Sequence, residues 1–300
     1  MNFNQLNYFI HVAEHGSFSK AALVLGVAQP ALSRQVRALE AELRETLLLR
    51  NGRGVALTDA GQRLLEHGQG ILRSVAQARA DLTAERDEPV GRIIVAMPPT
   101  QARLHTLALV QAFRARMPRA RLAVAEGFSM HITEWLLCGR ADLALVYDPE
   151  PLQALEIVPM VRERLCLVSL RNAAPRRPVS LLELSRYPLV MPQRGHIFRK
   201  RLETAAAMAG VQLHVACEIS SVPAILELVA AGVGHAALGE QALSPFKHQG
   251  DLVLTRFRDA DIDTTLCLVT PALKRSTLLI QRTAALLAEL VRGREVVAAA

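Results

Sequence analysis

Residues 17–37 read SFSKAALVLGVAQPALSRQVR, and this stretch decides the class of the molecule. Ser17 or Ser19 can cap a short helix that runs to Leu25, and Gly26-Val27 makes a tight break after it. A second helix spans residues 29–43, with Pro30 in its first turn, where a missing N–H costs little. Leu32, Val36, Leu39 and Leu43 form its buried stripe, and Ser33, Arg34, Arg37 and Glu40 are expected to face outwards. Helix, glycine-containing turn and second helix with small and polar outward residues make a helix-turn-helix pattern. The chemistry suits DNA. Gln29, Ser33 and Arg34 lie where the second helix would enter a major groove. Arginine bonds two acceptors of guanine, and glutamine does the same for adenine. Arg37, Arg50 and Arg53 are placed to neutralise phosphates, which adds salt-sensitive affinity without reading sequence. On these residues alone, a plain helical hairpin with a solvated polar face stays open.

Working outwards, residues 5–15 place Leu6, Phe9, Ile10 and Ala13 at helical spacing before Gly16, and Asn51-Gly52 signals a two-strand hairpin. A long helix follows from a cap at Thr58 to about Glu88, ended by Pro89 and Gly91. Its apolar positions Leu64, Gly68, Ile71, Val75, Ala78 and Leu82 alternate in steps of four and three, a short heptad seam. That seam fits pairing with a second chain, or a helix lying on its own domain.

From Val90 strands and helices alternate. The strand patterns are 92–96, 121–125, 142–147, 165–170, 189–191, 213–219 and 265–270. The helical ones are 100–116, 129–137, 196–209, 223–231 and 275–291. Such alternation predicts an α/β domain with largely parallel sheets. The chain has 300 residues, 35 Lys plus Arg and 28 Asp plus Glu, for a formal charge of +7. Half of it is hydrophobic, which excludes a disordered tail protein, and no apolar run reaches the roughly 18 residues of a membrane span. The opening MNFNQLNYFI lacks the pattern of a secretory leader, so a cytoplasmic location is expected. Residues 1–80 carry a net +3 and residues 81–88 a net −3, so the whole +7 lies after Glu88. DNA binding therefore rests on placed residues in a modestly charged head.

Three other patterns point to chemistry and fail on context. His11-Val12-Ala13-Glu14-His15 spells H-x-x-E-H, yet it ends a short helix with no third ligand nearby in sequence. Residues 232–237 match G-x-G-x-x-A, but a helix precedes them and a strand follows, the reverse of a dinucleotide site. Cys138, Cys166, Cys217 and Cys267 sit mostly among apolar strand residues and read as small buried hydrophobes. No catalytic, metal or cofactor set is expected.

The stretch from Asn2 to Gly61 resembles the winged helix-turn-helix of the LysR-type transcriptional regulators. The matching residues are Leu6-x-x-Phe9, Ser17-Phe18-x-x-Ala21-Ala22, Leu25, residues 28–33 (AQPALS), Leu39-Glu40, Leu43, Leu47, Arg50 and Leu57-Thr58-x-Ala60-Gly61. The resemblance covers the whole chain, and within the family it is nearest the nitrogen-assimilation and related amino-acid or aromatic-acid regulators. It implies an all-α winged helix-turn-helix over 1–58, a dimerisation helix over 59–88 and a two-lobed effector domain over 89–300. That last domain is of the type 2 periplasmic-binding-protein kind, with one lobe about 90–160 and 270–300 and the other about 161–269. By the same resemblance, Gln29, Pro30, Ser33 and Arg34 would meet the major groove, and Arg50 and Arg53 the backbone or minor groove. Leu64, Ile71, Val75 and Leu82 would pair two subunits into a homodimer or a dimer of dimers. The chain departs from the family at Arg44, where Gly is usual, and at Leu48, where Phe is usual. A longer third helix and a looser wing are expected from those changes.

Polar residues recur where a strand hands over to a helix, at Thr100-Gln101, Phe128-Ser129 and Ser220-Ser221. A helix start favours a carboxylate or other anion, and such turns lie beyond the carboxyl ends of strands, where ligands of open α/β sheets bind. Each hydroxyl also fits as a simple cap. The resemblance implies that these loops line an inducer cleft, so the expected effector residues are Thr100, Gln101, Phe128, Ser129, Gln193, Arg194, Ser220 and Ser221. His235 is an outlying candidate, better read as a buried, hydrogen-bonded structural histidine. The expected function is an operator-binding transcriptional regulator, not an enzyme, governed by a small anionic effector. Double-stranded DNA and RNA polymerase are its expected macromolecular partners. The alternatives are a regulator with a degenerate cleft and an enzyme on the two-lobed fold with a DNA-binding head.

Overall fold

The structure, a computed structural model, describes residues 1–51, 54–83, 88–244, 249–258, 262–272 and 277–298. The chain divides into two compact units. The first holds α1 (Phe3–His15), α2 (Phe18–Leu25), α3 (Gln29–Leu43), β1 (Leu48–Asn51), β2 (Gly54–Leu57) and α4 (Asp59–Thr83). An Asn2/Gln5 capping box starts α1, and Gly16 at φ 60° ends it. Ser17 caps α2 by accepting the Lys20 N–H, and Gly26 at φ 65° closes that helix. Leu6, Phe9, Val12, Leu32, Val36, Leu39 and Leu47 are almost fully buried and make the core of this unit.

Three expectations about this unit change. The third helix is not lengthened at Arg44. It ends at Leu43, and Arg44 takes the left-handed conformation (φ 55°) that a glycine would adopt without strain. Leu48 is buried beside Leu47, so the shorter side chain still packs into the core. Ser33 and Glu40 do not face outwards. Ser33 is buried, and the Glu40 carboxylate accepts the N–H groups of Leu47 (2.9 Å) and Leu48 (3.1 Å), which pins the start of β1. Periodicity could not show this, because the partners are backbone groups further along the chain.

β1 and β2 pair antiparallel as the wing, with Leu48 opposite Leu57. The Thr58 hydroxyl donates to the Thr46 carbonyl (2.6 Å) and accepts the Gly61 N–H (3.0 Å), capping α4. A Cβ at Gly61 would lie 2.1 Å from the Leu47 carbonyl oxygen, so only glycine lets α4 approach the wing this closely. Further along α4, a Cβ at Gly68 would meet Leu6 and Ile10 of α1 at under 3 Å.

The second unit runs β3 (Gly91–Met97), α5 (Pro99–Arg116), β4 (Ala120–Glu126), α6 (Ser129–Leu137), β5 (Leu143–Tyr147) and β6 (Leu155–Leu170). It continues with β7 (Leu189–Pro192), α7 (Ile197–Met208), β8 (Val215–Ile219), α8 (Val222–Ala230), β9 (Ala236–Gly239), β10 (Leu252–Arg256), β11 (Asp263–Pro271) and α9 (Leu278–Ala298). Among the strands of the described residues, β3–β4, β3–β5 and β7–β8 pair in parallel and the other pairs run antiparallel, so the sheets are mixed rather than largely parallel. The reason is β6, whose first ten residues run antiparallel to β11 and whose last six run antiparallel to β9 and β10. This strand carries the chain from the first lobe, built on β3, β4 and β5, to the second, built on β7 to β10. Residues 155–164 escaped the strand pattern because Pro159 interrupts them, and a bulge at Met160 absorbs the break.

Candidate functional site

At the start of α3, Gln29, Pro30, Arg34 and Arg37 are exposed while Leu32, Val36 and Leu39 are completely buried. Ala28 caps the helix without a side-chain bond, so the first turn carries no side chain folded back over it. Ser33 is not part of the exposed group. Arg50 lies in β1, and Arg53 falls outside the described residues.

In α4, Leu64 packs against the core of its own unit, half-buried Val75 follows, and Ile71 is 43 % exposed. The heptad positions therefore divide: Leu64 and Gly68 serve the head, and an open apolar surface begins at Ile71. Leu82 lies within α4.

In the second unit a small cavity lies beyond the carboxyl ends of β3, β5 and β7. It is lined by Pro98, Pro99, Thr100, Phe128, Ser129, Tyr147, His196, Ile197 and Phe198. Three helix starts converge on it: Pro99-Thr100 of α5, Ser129 of α6, and His196, the cap of α7. First-turn N–H groups have no intrahelical acceptor, so such starts attract negative charge. Rings fill the space between them. Phe128 stands edge-on to His196 at 5.5 Å, His196 is 5.3 Å from Phe198, and Phe198 is 5.3 Å from Tyr147. The Ser129 hydroxyl accepts the Tyr147 N–H (3.1 Å) and ties α6 to the end of β5. Burial pushes the His196 imidazole down to about 4, so it lines the cavity uncharged at neutral pH.

Of the nine residues expected at an effector site, Thr100, Phe128 and Ser129 line this cavity. Gln101 lies just behind it, 1 % exposed, donating to the Tyr147 hydroxyl (2.6 Å). Gln193 and Arg194 are exposed beside it, and the charge on Arg194 acts on Glu218, whose carboxyl is held below the usual range chiefly by its bond from Arg199. Ser220 and Ser221 are exposed, with Ser221 capping α8. His235 is buried elsewhere, bonded to the Ser169 hydroxyl (2.7 Å) and edge-on to Tyr187. Tyr147, His196 and Phe198 were not singled out from sequence. Their usable signals were a tyrosine closing an apolar strand and a histidine opening an amphipathic helix.

His15 bonds the His11 carbonyl (2.9 Å), and among the described residues no group of three or more His, Cys, Asp or Glu is arranged to hold a metal. Residues 232–237 run from just after α8 into β9, helix before strand. Of the four cysteines, Cys166 and Cys267 are buried, whereas Cys138, just after α6, and Cys217 are only half-buried. Burial pushes the Cys166 and Cys267 thiols up to about 11, away from reactive thiolate character. No helix among the described residues is long and apolar enough to cross a membrane.

Known proteins agree with this arrangement over its full length. Residues 3–62 match the model of the bacterial regulatory helix-turn-helix protein, lysR family, and residues 86–292 match the LysR substrate binding domain. The nitrogen assimilation regulatory protein nac of Escherichia coli is 33 % identical over 81 % of this chain and 79 % of its own. The HTH-type transcriptional activator IlvY of Salmonella typhimurium is 30 % identical over 81 % of this chain and 84 % of its own. Among solved structures, full-length CbnR complexed with its target DNA is 27 % identical, with a TM-score of 0.67 over 98 % of this chain and 99 % of that one. Full-length OxyR from Pseudomonas aeruginosa, 22 % identical, shares the fold with a TM-score of 0.72 over 97 % of this chain and 95 % of its own. The helix-turn-helix head and the two-lobed domain are thus the two halves of one known design, and the chain belongs to the LysR family of DNA-binding transcriptional regulators, not to the enzymes.

Proposed function

We propose that the protein reads operator DNA through the first turns of α3 and is governed by a small anion bound in the cavity at Thr100, Ser129 and His196. Gln29 and Arg34 make the base contacts, with Pro30 against the groove wall. Arg37, Arg50 and Arg53 hold phosphates. Ser33, nominated with them, packs inward and leaves the reading to its neighbours. The observation that supports this best is the clean division of α3, with an apolar face buried in the head and Gln29, Arg34 and Arg37 exposed together. The CbnR relative, solved with target DNA, supports the same use of the head. Two copies joined through α4 at Ile71, Val75 and Leu82 would present two such heads to two half-sites.

The convergence of three helix starts favours a carboxylate, and the rings of Phe128, Phe198 and His196 favour a compact apolar or aromatic body on it. The cavity encloses about 20 Å³, room for about one water, so such a ligand needs the lobes to part. An effector acts only by binding one arrangement better than the other. The same small volume favours a second reading, a regulator whose cleft takes no effector. A panel of amino acids and aromatic carboxylates, tested on the full chain for thermal shift and for a changed DNase footprint, separates the two. A compound that moves both, and loses both effects in Ser129→Ala or Phe128→Ala, supports the effector reading. Unchanged melting and footprint across the panel, with operator binding intact, supports the second.

A further inference from the structure

Behind the cavity wall runs a buried polar chain that effector binding leaves unused. Glu163 lies in β6 at the handover between lobes, one residue before the end of the pairing with β11 and two before the pairing with β9 begins. It is 2 % exposed. Its Oε2 accepts the Tyr147 hydroxyl, whose ring lines the cavity from the first lobe. Its Oε1 accepts the Gln241 N–H (3.2 Å), which belongs to the second lobe just after β9. Gln101 extends the chain, donating to Tyr147 and meeting His105 Nε2 at 3.1 Å. Gly239 makes the space: a Cβ there would lie 2.2 Å from Glu163 Oε1. One carboxyl therefore bridges the effector wall of one lobe to the backbone of the other.

We propose that Glu163 is the positioning residue of the effector cavity, holding the lobes closed on Tyr147 and Gln241 when protonated and releasing them when ionised. The inference rests on the cavity being the effector site. Closure keeps the carboxyl dry, and separating the lobes would return water to it while removing Gln241. A neutral acid suits the first state and a carboxylate the second. When Glu163 takes up its proton, donor and acceptor exchange across the bond to Tyr147. The tyrosine proton then turns to Gln101, whose amide offers its oxygen by turning over.

The surroundings agree. Burial pushes Glu163 up to about 7 against the lowering effect of its bonds from Tyr147 and Gln241, and the Glu240 carboxylate beside it raises it further. The groups facing it are Tyr147 from β5, Gln101 and then His105 from α5, Glu240 and Gln241 after β9, Phe198 from α7 and Thr264 from β11. On its own strand lies Cys166, which also feels Arg164 and, from β10, Arg256.

The full chain labelled with ¹³C in its glutamate carboxyls, titrated by NMR and followed in parallel by hydrogen exchange at residues 239–243, tests this. Expected is a carboxyl with a midpoint near 7 that vanishes in Glu163→Gln, with protection at Gln241 falling by about tenfold or more as it ionises. In Glu163→Gln that pH dependence is lost. Should the variant fail to fold, Tyr147→Phe removes one donor and moves the midpoint further up. A midpoint in the ordinary carboxylate range, or protection at Gln241 that does not follow the titration, overturns the proposal. Neither readout needs an effector, so a failed ligand screen and a failed titration are separate results.

Discussion

Arg44 occupies a left-handed position at φ 55°, where a side chain with a Cβ is strained by about 1 kcal/mol and a glycine is not. Arg44→Gly is expected to stabilise the head by up to about 0.5 kcal/mol, after allowing for the flexibility glycine adds to the unfolded chain. Chemical denaturation of the full chain, followed in the head transition, checks the sign; a loss of stability would mean that the αL turn is not strained. Glu40 works in the opposite direction. Removing its carboxylate in Glu40→Ala leaves two N–H groups at the start of the wing without their acceptor, for about 1–3 kcal/mol. Hydrogen exchange at Leu47 and Leu48 reports that loss locally, and unchanged protection there would rule out the pinning role. Both positions carried a family signal in the sequence, but only the backbone conformation of Arg44 and the acceptor geometry of Glu40 explain it.

At the scale of elements, α4 gives Leu64 to its own head and leaves Ile71 on an open surface, where the proposed second copy would pack. Ile71→Glu places a charge on the open surface and is expected to weaken self-association at least about tenfold by sedimentation, while melting of the head is unchanged. An equal loss of head stability would place Ile71 in the head instead. The helices of the head were legible because each carries its own stop and start signals: Gly16, Ser17, Gly26, Pro30 and Thr58. The apolar stripes of α1 and α3 were legible for the same reason, being local and periodic. What periodicity hid was the identity of long-range partners. The sequence marked strand ends at Ala96, Tyr147 and Met191 but not that these ends meet, so Thr100, Phe128 and Ser129 were found while Tyr147, His196 and Phe198 were missed. The recurrence of hydroxyls at helix starts also set Ser220 and Ser221 beside Ser129, although both end exposed at the start of α8, while His235 takes the structural role preferred for it, bonded to Ser169.

Across the whole effector domain, two buried titrating groups act on stability in opposite senses. Glu163 is raised to about 7, so the folded state holds its proton where the unfolded chain has lost it, and stability falls as pH rises from about 4.5 to 7. His196 is lowered to about 4, so the unfolded chain binds a proton that the fold refuses, and stability is lost as pH falls from about 6.5 to 4. Each effect is at most about 3.5 kcal/mol, and the two largely cancel between pH 4.5 and 6.5. Glu163→Gln is expected to leave a stability that rises with pH across this window. His196→Asn, which keeps a capping side chain, leaves one that falls. Parallel slopes in the two variants would show that at least one of these groups titrates normally.

The proposed recognition of DNA by the exposed turn of α3 is open to the most direct measurement, mapping of bound sites with the full chain and with Arg34→Ala on the same fragment library. Expected for the wild type are paired half-sites a whole number of helical turns apart. Arg34→Ala is expected to relax preference at one base pair in each half-site, at a cost of about 1–3 kcal/mol there. Wild-type binding without sequence preference, or a variant that loses affinity equally on every sequence, would contradict it.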